Sequence, residues 1–346
     1  MKSVFLTQND TLYLKAISIT LIVFHNFLHL LPPVYDCNEF SFNALHLQTI
    51  FSSFSLSESI NIFFSFFGYI GIYAFFFLSG YGLTKGIKKN HTPYYAIKRI
   101  WKLEKLLILG IIIYIFMNID NINWKNLLLK LTLTDNFSLT RIGNINYPWW
   151  FLGCLAQLYL IFYPLYKYIN KSTISFFTIF YLYIITAYLW IFGLFKTEYL
   201  YLNALGHLPE FTLGIYIACH ENTQLVKKRT YQKLLLLSLL FLLLAQYSPW
   251  FWIFNGIAST ILLISIYKLF NQIKYKKLIL YIGEISAYIY ILHGFLLRHL
   301  FVSFAQNSTA IMKLFYLLIW FILVLFICSI LYQIKKAVKK INLCTN

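Results

Sequence analysis

Apolar residues recur along this chain in blocks of about 20. Coiled as a helix, each block spans the ~30 Å hydrocarbon core of a bilayer. Such blocks lie near residues 12–31, 61–83, 104–118, 148–166, 173–194, 203–219, 233–247, 251–270, 278–297 and 312–331. The expected architecture is therefore all-α and integral to a membrane, a bundle of about ten transmembrane helices. Composition agrees: the chain is 60% apolar and only 12% charged, whereas soluble domains carry roughly a quarter charged residues. Residues 1–346 read as a single transmembrane domain with no added soluble domain and no cleavable leader, because the first block is a full-length span.

Basic residues orient the bundle, since short loops rich in Lys and Arg stay in the cytoplasm. With both termini cytoplasmic, 22 of the 29 basic residues fall inside, among them the run from Lys85 to Lys105 and the cluster 335–340. Lys125, Lys130, Arg141, Lys196, Arg298 and Lys313 fall outside. The net charge of +18 is thus mainly a topology signal, with attraction to anionic membrane lipid as a second consequence and no pointer to nucleic acid. The expected location is the inner (cytoplasmic) membrane. Cysteines 37, 154, 219, 328 and 344 form no CxxC pair, so neither a structural zinc site nor a disulfide framework is expected, and no metal is assigned.

Polar groups inside the hydrocarbon mark function in such a chain, because each costs free energy unless it is partnered or lines a cavity. The first helix carries Lys15, Ser18, His25, Asn26 and His29; the sixth carries Glu210; the ninth carries Glu284, Ser286 and His293. His25 lies ten residues beyond Lys15, about 15 Å deeper at the helical rise. At ~100° per residue Ser18, His25 and His29 share a stripe, while Lys15 points nearly the same way as Asn26. Hydrogen bonding between helices is the competing role for each histidine and for Glu210 and Glu284.

The strings LKAISITLIVFHN at 14–26, FFFLSGYGLTKG at 75–86, KRIWK at 98–102, WWFLGCLAQLYLIFYPL at 149–165, LPEFTLGIYIA at 208–218 and IGEISAYIYILH at 282–293 resemble the acyltransferase-3 family of bacterial integral membrane glycan acyltransferases. They occur in the family's order over nearly the whole chain. The resemblance implies transfer of an acyl group, usually acetyl, from cytoplasmic acyl-CoA to a hydroxyl of a glycan or lipid-linked sugar. It also implies a basic residue and an essential histidine on the first helix, a spaced basic pair and an F-x-S-G-like turn, here Lys15 with His25, Arg99 with Lys102, and Phe77, Ser79 and Gly80. The family's interval of ten residues after the basic position lands on Asn26, whereas His25 follows after nine. Both are carried as catalytic candidates, with His293 as a third. Lys102 replaces the family's second arginine, losing a planar fork and keeping a charge for phosphate.

The chemistry asks for these groups. A sugar hydroxyl attacks only once a base takes its proton, and imidazole, with an ordinary pKa of ~6.5, suits that task. A covalent acyl-histidine route is an alternative. Arg99, Lys102, Lys15 and Lys85 are candidates for the coenzyme A phosphates, and Ser79 and Gly80 for the pantetheine arm, where glycine lets a ligand approach the backbone. Trp149 and Trp150 are candidates for stacking a sugar, with interfacial anchoring as the competing role, and Glu210 for contacting the acceptor. A transporter or flippase with a proton-linked His/Glu path, or an inactive scaffold, are the rival functions.

Overall fold

A computed structural model describes residues 5–90, 94–118, 122–140, 145–221, 227–270 and 276–344. Every regular element among the described residues is helical. In order these are α1 (Gln8–Leu28), α2 (Leu45–Ser53), α3 (Ser59–Phe67), α4 (Gly71–Asn90), α5 (Tyr95–Met117), α6 (Trp124–Leu131), α7 (Trp150–Lys171) and α8 (Thr173–Leu189). There follow α9 (Thr197–Tyr201), α10 (Leu208–Cys219), α11 (Lys228–Tyr247), α12 (Pro249–Trp252), α13 (Asn255–Phe270), α14 (Lys276–Leu292), α15 (Arg298–Ala305) and α16 (Ala310–Cys344). A 3₁₀ turn, Gly68–Ile70, runs α3 into α4.

Six helical stretches among the described residues are long and apolar enough to cross a membrane: Gln8–Leu28, Ser59–Lys89, Tyr147–Lys171, Thr173–Gly193, Lys228–Tyr247 and Ala310–Lys340. The other four expected spans are helical but shorter, or begin with charge. The stretch read as 251–270 breaks at Trp252, where α12 gives way to the 16-residue α13. The stretch read as 203–219 begins with a 3₁₀ turn, Ala204–His207, and leaves 12 residues for α10. Pro249 and Pro209 occupy the first turns of α12 and α10, where proline's missing N–H removes no helical hydrogen bond.

Burial separates inner from outer helices. Of the Ser59–Lys89 window 72% is buried within the protein, against 22% for Lys228–Tyr247 and 28% for Ala310–Lys340. The α3–α4 stretch therefore sits innermost of these six, while α11 and α16 lie at the periphery with most of their apolar surface exposed. A capping box fixes the start of α1: Thr7 accepts from the Asp10 backbone N–H at 3.2 Å, and Asp10 accepts in return from the Thr7 N–H at 2.9 Å. Among the packed pairs, α4 and α10 touch most extensively. A Cβ on Gly80 would run into the Phe211 carbonyl, and one on Gly214 into the Phe77 carbonyl, so reciprocal glycines let the two backbones meet.

Several basic residues expected outside are locked in place. Lys313, 4% exposed, donates to Glu58 and to the Pro32 carbonyl at 2.8 Å each. Lys130 is buried against Asp135. Lys2, Arg141 and Lys274 lie outside the described residues. On α14 Glu284 accepts from the Tyr332 hydroxyl at 2.9 Å, joining that helix to α16.

Candidate active site

His25 is 3% exposed in the deeper half of α1. What holds it there is the α3–α4 turn: a Cβ on Gly68 would lie 2.7 Å from the His25 Cβ, so only glycine admits the contact. Its Nδ1 stands 3.3 Å from the Phe64 carbonyl. A carbonyl only accepts, so Nδ1 donates here, and in the neutral ring the lone pair then falls on Nε2. Nε2 faces the Glu39 carboxylate at 3.6 Å.

A cavity of about 20 Å³ opens at this point, lined by His25, Asn26, Glu39, Tyr69, Tyr147, Trp150 and Tyr290 among others. A single water needs ~10–15 Å³, so the space admits one hydroxyl-sized group and no sugar ring. Glu39 comes from the segment between α1 and α2, and no sequence feature singled it out. Tyr69 was missed as well; its hydroxyl accepts from Asn255 Nδ2 at 2.7 Å.

Asn26 and His293, two of the three catalytic candidates, come together. Asn26 Nδ2 donates to His293 Nε2 at 2.9 Å, and His293 Nδ1 donates to the carbonyls of Tyr290 and Ile289 at 2.8 and 3.1 Å. Both ring nitrogens of His293 are thereby engaged, and the ring is fully buried. The pair ties α1 to the end of α14 and holds Asn26 on the cavity wall.

The tryptophans divide. Trp149, 1% exposed, donates from Nε1 to the Ile291 carbonyl at 2.9 Å and belongs to the core. Trp150 lines the cavity and meets Phe40 edge-on at 5.1 Å. Both are buried within the protein. Glu210 lies behind the wall, its Oε2 3.8 Å from His207 Nδ1 and both side chains 2% exposed. His207 in turn stacks on Phe76 at 4.0 Å.

A second constellation forms nearer the start of α1. Arg99 lies within electrostatic reach of both Lys15 and Tyr159, and Tyr159 sits beside Ser79. Arg99 also donates to the Tyr95 hydroxyl, 2.6 Å from Nη2 and 3.1 Å from Nε. Among the described residues no carboxylate lies within ion-pair distance of Lys15, Arg99 or Lys102. Lys102 faces elsewhere, into a groove of about 630 Å³ shared with Lys105, Tyr288, Lys335 and Lys339. Lys85 is engaged by Glu221, and Gly80 is spent on helix packing.

The fold and this buried polar centre define a multi-pass helical membrane protein with a buried histidine at its middle. The sequence model of the acyltransferase-3 family, described as an acyltransferase domain, matches residues 12–333, and the chain belongs to that family. It is a membrane acyltransferase. No curated protein matches it, and no solved structure does.

Proposed function

We propose that the chain moves an acyl group, acetyl in the first instance, from acyl-CoA to a hydroxyl of a cell-envelope or exported glycan, with His25 as general base. In this reading it crosses the bacterial cytoplasmic membrane ten times, with both termini cytoplasmic. The observation that carries the catalytic part is the hydrogen-bonding state of His25: Nδ1 is taken by the Phe64 carbonyl, and Nε2 is directed at a hydroxyl-sized space beside Glu39.

A hydroxyl seated there donates its proton to Nε2 as its oxygen attacks the thioester carbonyl. The C–O bond forms and the C–S bond breaks. The imidazolium returns its proton to the departing coenzyme A thiolate, which leaves as free thiol. While charged, the ring is stabilised by the Glu39 carboxylate. Asn26, positioned by His293, has an amide able to steady the polarised carbonyl.

Lys15 and Arg99 supply two positive charges with no carboxylate partner among the described residues, which suits the coenzyme A phosphates. The Ser79–Tyr159 pair lies beside them. Lys15 is about 15 Å along α1 from His25, and the pantetheine arm is the part of the donor that would run between the two. Because the cavity holds no sugar ring, a glycan acceptor requires its walls to open.

The test is direct. Purified protein given acetyl-CoA and a cell-envelope glycan extract should release free thiol and acetylate the extract, and His25→Ala should do neither. Thiol release that persists in a folded His25→Ala protein would reject the base assignment, and absence of transfer with any glycan acceptor would reject the acceptor class.

A further inference from the structure

The structure brings His29 and Cys37 to the same side of His25, a grouping that the sequence reading, with no metal assigned, does not contain. One ligand atom from each of His25, His29 and Cys37 lies within 4.8 Å of the others. Histidines four apart on a helix present their rings one above the other, and here the centroids are 4.9 Å apart with planes inclined by 31°. The Nδ1 of His29 is buried and has no hydrogen-bond partner among the described residues. Cys37 is a free thiol, with the carboxylates of Asp36 and Glu39 acting on it electrostatically.

We propose that His25, His29 and Cys37 bind a thiophilic divalent cation of the zinc type, and that its binding silences the enzyme. Two imidazoles and a thiolate are a donor set zinc accepts, with the fourth tetrahedral position left to solvent. Around one zinc, bonds of ~2.0–2.3 Å put ligand atoms roughly 3.3–3.8 Å apart; closing from 4.8 Å is within reach of side-chain rotation. The outer contacts of a metal site are also in place. His25 donates from Nδ1 to the Phe64 carbonyl at 3.3 Å, and the ring of His29 meets the backbone of the next residue, Ser65. Metal-binding histidines usually hold their second nitrogen in this way.

On binding, the thiol gives its proton to solvent as the metal–sulfur bond forms, and the lone pair on His25 Nε2 is taken by the cation. A histidine so engaged accepts no proton from a hydroxyl. The inhibitory half of the proposal rests on His25 being the base; the site itself does not. The ligand pattern excludes hard cations such as Mg²⁺, which prefer oxygen.

Cobalt reports on such a site independently of activity. Full-length protein in detergent, titrated with Co²⁺, should show a near-ultraviolet thiolate-to-cobalt band that saturates at one ion per chain and bleaches with Zn²⁺. Cys37→Ser should lose that band, and His29→Ala should weaken Zn²⁺ binding by more than about 10-fold, the lower end of what even a supporting contact contributes. No band in folded wild-type protein, or a band that survives Cys37→Ser, overturns the site. Zn²⁺ should also inhibit acyl transfer, with EDTA restoring it. Cobalt binding at Cys37 without inhibition by Zn²⁺ would overturn the inhibitory half and His25 as base together, whereas no cobalt binding alongside an inactive His25→Ala overturns the metal site alone.

Discussion

Replacing Glu39 by glutamine tests the electrostatic part of the proposed mechanism, because it removes a charge while keeping size and hydrogen-bonding groups. The carboxylate is 3.6 Å from His25 Nε2, and the two side chains are 16% and 4% exposed. Once the ring has taken the hydroxyl proton, a full charge pair exists at that distance. Its attraction is about 5 kcal/mol at an effective dielectric of ~20 and about 1 kcal/mol if the site is as wet as bulk solvent. Only the charged state gains it, so the loss falls on the chemical step, roughly 10-fold at the low end and several times 10³-fold at the high end. The assay is thiol release at saturating acetyl-CoA, with donor affinity measured separately. The kcat should fall within that range while acetyl-CoA Kd changes by less than about twofold. Adding Glu39→Gln to His25→Ala should lower the residual rate no further, since the carboxylate acts through the ring. A Glu39→Gln enzyme keeping more than half of wild-type kcat would refute the reasoning.

His25→Ala should lower transfer by ~10²–10⁴-fold with donor binding intact; His293→Ala should act first on stability, lowering the melting temperature by leaving Asn26 and two carbonyls without their partner, and should keep more than a tenth of the activity. Arg99→Gln or Lys15→Gln should weaken acetyl-CoA binding by about 10-fold, in line with ~1.5 kcal/mol for a charged contact, whereas Lys102→Gln, facing the separate groove, should matter less; equal effects from all three would merge the two basic regions. Gly68→Ala should abolish transfer by displacing His25, while Gly82→Ala, where a Cβ meets nothing within 4 Å, should behave as wild type; an active Gly68→Ala enzyme would remove the proposed constraint. Reporters placed after residue 346 and near Lys89 should read cytoplasmic and one near Asn43 external, and a cytoplasmic reading from the 32–60 loop would overturn the arrangement of the first two spans.

Membrane character and helical fold were legible in the chain because they depend on local quantities: runs of apolar residues long enough to span and too poor in charge to be wetted. The acyltransferase-3 membership was legible for a related reason, since six short strings in order need no knowledge of what touches what. Periodicity along α1 also placed His25 and His29 on one face. What periodicity does not reveal is the partner across a gap. Glu39 sits in a segment with no regular pattern, and it meets His25 only because the chain after α1 folds back over the cavity. Asn26 and His293 are 267 positions apart, and the hydrogen bond between them is what leads us to propose a positioning role for His293. Lys85 and Lys15 look alike as charges on a line of text; packing gives one a carboxylate and leaves the other without one among the described residues. Helix formation and insertion are decided by neighbours in sequence and by the solvent, whereas proton-transfer partners are decided by atoms within about 3–4 Å, a distance set only when helices far apart in the chain are brought into contact.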